Sequence, residues 1–438
     1  MKHLFFGGVH PAGKKELSAE KTPIPAPIPT QVVIPLQQHI GKLCEPLVKP
    51  GDTVKLGQKI GDGPGLCVPV HASVSGRVLA VEPRRHPGGG TVLSVVIEND
   101  YQDTMDQTLS PHRSADELSP EEILSIVREA GIVGMGGASF PTNVKGASSV
   151  GKVDTIIANA CECEPYITAD DMLLRTYPQQ VLEGMKLMCR VLQPKRAVLA
   201  VEDNKKDAVS TLTHLIRERP ELEVEVKILP TRYPQGAEKQ LIQAVTGREV
   251  PPGGLPSAVG CAVFNASTFA SVYKAVMLGQ PLTHRIVTVT GEGVKQPRNY
   301  IARIGTPFSE LIEAAGGLTE DAWKVISGGP MMGIAQADLE APVIKATNAV
   351  LCLSQKQNDE REHHTCIRCG KCLTVCPMRL QPLYFYRYER SGDIAALDRL
   401  HIMDCIQCGC CAYTCPGKLP LVDRIKAGKQ AVKEGISK

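Results

Sequence analysis

Short apolar runs alternate with turns from residue 31 to residue 100. The runs at 32–34, 78–81 and 92–97 are rich in valine and isoleucine, and glycine or proline residues stand between them. Runs of this length and composition are typical of short strands. We therefore predict a small all-β domain over residues 31–100.

The stretch before this domain is rich in proline, at positions 23, 25, 27, 29 and 35. Proline lacks a backbone N–H and favours extended, polyproline-type structure over a helix. We expect residues 1–30 to form an N-terminal arm that packs along another domain.

A helical pattern begins at residue 119, where Ser119 and Glu122 form a predicted capping box around Pro120. Strands are predicted after it at 155–159, 197–202, 224–229 and 261–265, and helices at 170–192, 205–217, 237–245 and 268–278. Strands that alternate with helices predict a parallel sheet with helices on its faces. We assign residues 115–283 to this α/β domain.

A further unit is predicted over residues 284–355. It has a strand at 285–290, a capped helix that begins at Thr306 and a strand near 325–327, and it resembles β-grasp modules of the soluble-ligand-binding (SLBB) type. A cysteine-rich domain follows over residues 360–424, and the lysine-rich residues 425–438 are predicted to be a solvated tail. The chain is thus predicted to be a multidomain α+β protein.

Composition narrows the function. The 16 cysteines include eight at metal-ligand spacing and show no disulfide framework, which favours a reducing, intracellular location. A net charge of +3 and an aromatic share of 4% are not those of a nucleic-acid platform, so we expect no nucleic-acid partner. No signal peptide and no run of about 18 apolar residues occur, so any membrane association is expected to be peripheral, without a transmembrane span.

The cysteine-rich domain contains one motif, C-x2-C-x2-C-x3-C-P, twice. In this spacing three cysteines of one run hold a 4Fe–4S cluster, and the fourth, before proline, caps the other cluster. The resulting assignment is Cys366, Cys369, Cys372 and Cys415 for cluster 1, and Cys405, Cys408, Cys411 and Cys376 for cluster 2.

A pair of structural zinc sites is the alternative for these cysteines. Such sites usually take two separated cysteine pairs that close one tetrahedron, whereas each run here has four cysteines and a proline. Cys410 breaks the spacing, and we predict that it is not a ligand.

A glycine-rich loop, residues 131–145, follows the first helix of the α/β domain. Clusters carry single electrons whereas most metabolic reductants deliver a hydride, so this chain needs either a partner that splits electron pairs or a flavin of its own. The loop offers bare backbone N–H groups to a phosphate, and Lys145 adds a positive charge nearby. It does not match the G-x-G-x-x-G dinucleotide fingerprint.

Three other segments are expected in the same pocket. Residues 156–165 end a predicted strand with polar and acidic groups, which is where open α/β sheets bind ligands. Residues 233–239 and 264–268 supply further polar groups.

In order and wording these segments resemble the flavin subunit of respiratory complex I, which binds FMN and NADH. The resemblance implies that FMN is bound by Gly134, Gly136, Gly137, Lys145, Asn159, Cys161, Glu162, Gly236, Asn265 and Thr268. It implies NADH contacts at Phe140, Glu164 and Glu238. The chain departs from that family at Met135, Cys161 and Ala237, where the family has arginine, aspartate and glutamate.

The all-β domain resembles biotinyl and lipoyl carrier domains of the barrel-sandwich type. A carrier presents a lysine at its hairpin tip, but residues 61–76 contain none. The barrel is therefore predicted to be structural, and a biotin-type carrier with attached clusters is the disfavoured alternative.

Taken together, the order of domains resembles the RnfC family of the Rnf complex, the membrane ferredoxin:NAD oxidoreductase that pumps sodium ions or protons. The resemblance implies a peripheral subunit on the cytoplasmic face of the plasma membrane. NAD(H) is then the substrate, FMN and two 4Fe–4S clusters are the cofactors, other Rnf subunits are the partners, and ferredoxin is an indirect one.

Two other functions stay open at this stage. A soluble corrin reductase of the propanediol-utilisation type shares the flavin and cluster modules, although that family usually opens with the α/β domain. An electron-transfer adaptor with a degenerate flavin site is the second, because of the departures at Met135 and Cys161.

Overall fold

A computed structural model describes residues 5–106, 111, 114, 116, 118–358 and 365–436. Parts of four predicted segments, residues 1–4, 115, 360–364 and 437–438, lie outside the described residues. Within the described ranges every helix is too short or too polar to cross a bilayer.

The N-terminal part consists of the arm and the barrel. Its strands are β1 (Ile24–Pro25), β2 (Gln31–Pro35), β3 (Glu45–Pro46), β4 (Thr53–Val54), β5 (Lys59–Asp62), β6 (Val70–His71), β7 (Gly76–Arg85) and β8 (Thr91–Asn99). One sheet has the order β2-β8-β7-β4 and the other β3-β5-β6. Ile34, Ile60 and Ile97 are fully buried between the two sheets, because alternate side chains of each strand point inward. The predicted all-β domain is confirmed.

The α/β domain surrounds a parallel sheet. Its elements are α1 (Pro120–Glu129), α2 (Thr142–Ser149), β9 (Thr155–Ala160), α3 (Ala169–Thr176), α4 (Pro178–Leu192), β10 (Arg196–Glu202), α5 (Lys206–Glu218), β11 (Val224–Leu229), α6 (Glu238–Thr246), β12 (Cys261–Asn265) and α7 (Ala266–Leu278). The strand order is β11-β10-β9-β12. Ile156 packs into the apolar layer on one face of the sheet and Ile157 into the layer on the other, so both faces are covered.

The β-grasp unit contributes a mixed sheet. It contains β13 (His284–Thr290), β14 (Arg298–Arg303), α8 (Phe308–Ala314), β15 (Ala322–Ser327), β16 (Ile334–Ala335) and β17 (Ala349–Ser354). Strand β1 of the arm pairs in parallel with β14, which places the arm along this unit as predicted.

The cysteine-rich part is helical. Its helices are α9 (Lys371–Thr374), α10 (Pro382–Ser391), α11 (Ile394–Arg399), α12 (Cys410–Tyr413) and α13 (Leu421–Ile436). Helices α10, α11 and α13 form a core around the fully buried Phe385.

Three predictions about elements are wrong. The helix predicted over 170–192 is two helices, because Pro178 lacks the N–H that a continuous helix needs. Thr306 does not cap α8; Pro307 occupies the N-cap position, and no side chain bonds the first turn there. The predicted solvated tail is helix α13, whose Ile425 and Val432 are each 1% exposed.

Candidate functional site

Two cavities lie in the cysteine-rich domain, and each is lined by four of the predicted ligands. One, of about 400 Å³ including open solvent, is lined by Cys366, Cys369, Cys372 and Cys415. The other, of about 410 Å³ by the same measure, is lined by Cys376, Cys405, Cys408 and Cys411. Each cavity thus combines three cysteines of one run with the last cysteine of the other.

The two cysteine loops repeat the same backbone conformation. Arg368 and Gln407 have φ of 55° and 56°, and Gly370 and Gly409 have φ of 75° and 79°. This left-handed backbone turns amide groups toward sulfur: Arg368 N donates to Cys366 Sγ, and Gln407 N donates to Cys405 Sγ, each at 3.4 Å. Such N–H to sulfur bonds stabilise thiolates and tune cluster potentials.

The chemistry of these thiols fits iron–sulfur clusters. All eight are free. Burial raises the pKa of Cys405 to about 11 and also raises the pKa of Cys411, so a set of bare thiolates is disfavoured in the second cavity. Iron supplies the positive charge that lets such thiolates ionise.

The glycine-rich loop of the α/β domain is held open by neighbours on β12 and α7. Met135 N donates to Thr268 Oγ1 at 3.1 Å, and a Cβ on Gly136 would lie 2.8 Å from Asn265 Nδ2. Gly136 and Gly137 are exposed, and a Cβ on Gly137 would meet nothing within 4 Å. The loop is therefore a bare backbone surface with free space above it.

The loop lies at the topological switch point of the sheet. Strands β10 and β11 follow on one side of β9, whereas β12 lies on its other side, so the connections diverge between β9 and β12. Ligands of open α/β sheets bind at this point, beyond the carboxyl ends of the strands. Asn159 and Asn265 stand at these two ends.

Asn159 ties the strand end to the segment before α6. Its Nδ2 donates to Gly236 O at 2.8 Å, and its Oδ1 accepts from Cys161 N at 3.1 Å. A Cβ on Gly236 would lie 2.2 Å from Cys161 O, so only glycine permits this approach. Both amide atoms of Gln235, which is fully buried next to Gly236, lack a hydrogen-bond partner among the described residues.

The open glycine surface and these orphaned polar atoms at the switch point fit an FMN. Asp170, a residue that the sequence analysis did not single out, completes the site. Asn265 Nδ2 and Ser267 Oγ each donate to its carboxylate at 2.7 Å. Burial raises the pKa of Asp170, and these two donors counteract that rise.

The acidic segment after β9 is stabilised from below by buried lysines. Glu162 is 8% exposed, and its Oε2 lies 3.4 Å from Lys205 Nζ. Lys15 of the arm donates to the backbone oxygens of Glu162 and Glu164 at 2.8 and 2.9 Å. Desolvation lowers the pKa of Lys15 to about 8. Lys15 is 147 positions from Glu162, so no local pattern could have indicated it.

The predicted NADH contacts are not gathered in one place. Glu164 Oε2 accepts from Met331 N at 3.1 Å, in a loop of the β-grasp unit, and desolvation raises the pKa of Glu164 to about 7. Glu238, the first residue of α6, pairs with Lys145 at 2.5 Å. Phe140 is partly exposed at the end of the glycine-rich loop.

Two predicted FMN residues turn their side chains away from the loop. Cys161 Sγ lies 3.5 Å from Ala200 O and packs in the apolar layer under α6. Glu162 faces Lys205 and the first turn of α3, where its Oε1 accepts from Asp170 N at 2.8 Å. Cys161 therefore offers the pocket its backbone only.

The second cysteine cavity lies against the α/β domain. Tyr233 Oη donates to Cys408 O at 2.8 Å, and Gln240 Nε2 donates to Pro377 O at 3.4 Å. In the first cavity, by contrast, Cys369 is exposed. Cluster 2 is thus the nearer of the two to the nucleotide-binding domain.

Family models match four successive parts of the chain. They are the RnfC barrel sandwich hybrid domain over residues 3–102, the Nuo51 FMN-binding domain over 127–274, the SLBB domain over 286–335 and the 4Fe-4S dicluster domain over 362–419. The predicted fold class is confirmed, and the FMN and iron–sulfur cofactors are those of the matched domains.

Two solved chains of an NAD+-reducing nickel–iron hydrogenase, in the H2-reduced and air-oxidized states, are similar in fold. Their TM-scores are 0.50 and 0.53 at 21% and 20% identity; each match covers 74% of this chain, and 64% and 67% of theirs. At this identity the likeness shows the fold alone.

Relatives of similar length are closer. The RnfC subunit of the Na+-translocating ferredoxin:NAD+ oxidoreductase complex of Acetobacterium woodii is 46% identical over 99% of this chain and 98% of its own length. Its counterpart in the proton-translocating complex of Clostridium ljungdahlii is 43% identical over 87% and 83%. The counterpart in the ion-translocating oxidoreductase complex of Vibrio cholerae is 38% identical over 91% of this chain, which spans 52% of that protein. The chain therefore belongs to the RnfC family of ion-translocating ferredoxin:NAD+ oxidoreductase complexes.

Proposed function

We propose that this chain is the NAD(H)-facing electron-transfer subunit of a membrane complex that couples ferredoxin:NAD oxidoreduction to Na+ or H+ translocation. One observation carries the proposal: a glycine-lined ligand pocket and two tetracysteine cavities are joined in one polypeptide through the contact of Tyr233 with Cys408. Relatives that cover nearly the whole chain are named as subunits of such complexes.

The pocket residues are proposed to hold FMN, which can exchange a hydride with a nicotinamide and single electrons with a metal centre. Gly134, Gly136 and Gly137 offer backbone N–H groups without side chains. Thr268 and Asn265 keep the loop in place, and Asp170 orients Asn265. Asn159 and Gly236 shape the far side, with the backbone of Cys161 between them.

Charged residues at the mouth are proposed to recognise the nucleotide. Lys145 and Glu238 form an ion pair there, which a phosphate is expected to open by competing for the lysine. Phe140 offers a ring for stacking. Glu164 is proposed to contact NADH, and Glu162 supports the segment from below, through Lys205.

The eight cysteines are proposed to hold two 4Fe–4S clusters, in the two sets that the cavities define. The set of Cys376, Cys405, Cys408 and Cys411 is proposed to be the first station from the nucleotide side, because it contacts the α/β domain. The set of Cys366, Cys369, Cys372 and Cys415 is proposed to face the next redox subunit, because Cys369 is exposed.

We place the subunit on the cytoplasmic face of the membrane, because its proposed substrate NAD(H) is a cytoplasmic pool. Other subunits of the complex are its proposed partners, and ferredoxin is an indirect one.

An anaerobic NADH titration of the full chain tests the function. The reconstituted protein is expected to hold about one FMN and about eight irons, and NADH is expected to bleach first the flavin and then the cluster absorbance. If the protein binds no FMN, or if NADH leaves the bound flavin oxidised, the adaptor with a degenerate pocket replaces the proposal.

Gly137→Ala tests the pocket directly. The added methyl group enters free space, so the melting temperature and iron content are expected to stay unchanged while FMN affinity falls about tenfold, or ~1.4 kcal/mol. Gly13→Ala is the matched control, since a Cβ there also meets nothing within 4 Å but lies in the arm. Equal FMN affinity in the two variants would remove Gly137 from the pocket.

A further inference from the structure

Three metal-ligating side chains converge inside the barrel, outside both cysteine cavities. Cys44 Sγ lies 3.3 Å from Cys67 Sγ and 3.9 Å from His39 Nε2. The three side chains are buried, with exposures of 0% for Cys44, 3% for Cys67 and 5% for His39. All three donor atoms lie within 4.8 Å of one another.

These spacings match a tetrahedral zinc site. With Zn–S near 2.3 Å and Zn–N near 2.0–2.1 Å, tetrahedral angles place two sulfurs ~3.8 Å apart and a sulfur and a nitrogen ~3.6 Å apart. The observed 3.3 and 3.9 Å differ from those values by a few tenths of an ångström, in opposite directions. A disulfide needs about 2.05 Å between the sulfurs and gives His39 no role.

The imidazole has the right tautomer. Val68 N donates to His39 Nε2 at 3.2 Å, so Nε2 carries the lone pair, and Nδ1 donates its proton to Ile40 O at 3.1 Å. A carbonyl that accepts from the second ring nitrogen is the usual partner of a metal-bound histidine. Burial lowers the pKa of His39, which favours the neutral, ligating ring. A metal ion would compete with Val68 N–H for this lone pair.

We propose that His39, Cys44 and Cys67 bind one Zn2+, with a water molecule as the fourth ligand. Binding replaces the two thiol protons, which pass to solvent, and leaves two thiolates and a neutral imidazole on the ion. Pro64 and Gly65 at the exposed tip of the hairpin between β5 and β6 lie a few residues from Cys67, so both the ion and the water have a short route from solvent.

The site would brace the segment that contacts the glycine-rich loop. Ile40, next to His39, donates its N–H to Ser139 O at 3.3 Å, and Ser139 precedes Phe140. Gln38 accepts from Lys345 N at 3.0 Å. The ion would thus join the loop after β2 to the β5–β6 hairpin, directly behind the proposed nucleotide pocket. The zinc proposal does not depend on FMN binding.

The competing description is a neutral hydrogen-bonded cluster, in which the Cys44 thiol donates to Val68 O at 3.3 Å. Zinc K-edge absorption fine structure of the full iron-loaded chain, expressed with zinc and purified anaerobically, separates the two. We expect about one zinc per chain with two sulfurs near 2.3 Å and two nitrogen or oxygen ligands. This measurement needs no variant, so it holds even where a variant fails to fold.

Variants then locate the ion. In Cys44→Ala and Cys67→Ala we expect zinc content to fall at least about tenfold while iron stays near eight per chain, and Cys352→Ala, a buried cysteine of β17, is expected to keep its zinc. The proposal fails if the wild-type chain carries less than about a tenth of a zinc. It also fails if the zinc has four sulfur ligands, if zinc survives in the Cys44 and Cys67 variants, or if mass spectrometry finds these two cysteines joined as a disulfide.

Discussion

Cys410 and Cys411 are adjacent in sequence but serve different surroundings. Cys411 packs toward the core of the cysteine-rich domain, whereas Cys410 is fully buried beside Tyr233 of the α/β domain. Consecutive residues of a helix point about 100° apart, so one of them can face a cluster while its neighbour faces another domain. The motif spacing predicts the same division of roles.

We therefore expect Cys411→Ala to lose about four of eight irons and Cys410→Ala to keep all of them. Anaerobic iron analysis, with electron paramagnetic resonance of the reduced protein, measures the difference. Loss of iron from Cys410→Ala with retention in Cys411→Ala would mean that the ligand register is shifted by one residue.

Glu164 makes folding stability depend on pH. Desolvation raises the pKa of Glu164 from 4.5 to about 7, so the folded state holds its proton more tightly than the unfolded state does. The stability that this proton contributes is fully present below about pH 4.5 and is lost as pH rises through about 7. Glu164→Gln should therefore be more stable than the wild type at pH 8, on the order of 1–3 kcal/mol, and this advantage should shrink toward pH 5.

Denaturant unfolding at pH 5 and pH 8 measures the effect on the free energy of unfolding. Glu434→Gln, at an exposed position of α13, is the control and is expected to show no such trend. A stability advantage of Glu164→Gln that does not change with pH would refute the linkage.

At the scale of elements, local signals worked where one short segment contained all the information. The capping box of Ser119 and Glu122 forms with both of its hydrogen bonds, and α1 begins at Pro120 as predicted. The strands Val224–Leu229 and Cys261–Asn265 have the predicted bounds. Helix α13 was missed because its lysines indicated solvent, although its apolar positions follow helical spacing.

Helix α13 is expected to stabilise the second cluster site. Lys429 Nζ donates to Cys405 O at 2.8 Å, and Val432 is 1% exposed in the shared core. Val432→Ala should destabilise the domain by about 1–3 kcal/mol and speed the release of iron to a chelator. Anaerobic chelation kinetics test this; Glu434→Ala, exposed on the same helix, should behave like the wild type. Equal release rates for the two variants would show that α13 does not hold the cluster domain.

At the scale of the whole molecule, the arm connects units that are far apart in sequence. Gly8 N donates to Val375 O at 2.8 Å, Lys15 bonds the segment after β9, and β1 extends the β-grasp sheet at β14. The arm is therefore expected to help fix the α/β and cysteine-rich domains relative to each other, in addition to its pairing with the β-grasp unit.

Contact between the α/β and cysteine-rich domains is expected to control electron transfer between them. Tyr233→Phe removes the hydrogen bond to Cys408 O, a net loss of about 0.5–1.5 kcal/mol, and should slow cluster reduction by NADH roughly two- to tenfold while flavin reduction keeps its rate. Anaerobic stopped-flow absorbance resolves the two phases. Tyr166→Phe, which removes a hydroxyl bonded to Glu292, is the matched control. If the two variants reduce their clusters at the same rate, the Tyr233 contact does not limit the transfer.

Sequence alone determined the elements, the two cysteine sets and the segments that meet at the end of the parallel sheet. Those features depend on residues close together in the chain or on the rule that parallel strands end at one edge. Only the tertiary structure decided that Asp170 and Lys15 belong to the site, that Cys161 points into the core, and that cluster 2 lies nearer the pocket. It also brought His39 and Cys44 to Cys67. Each of these depends on contacts between segments tens to hundreds of residues apart, which pattern and spacing along one chain do not specify.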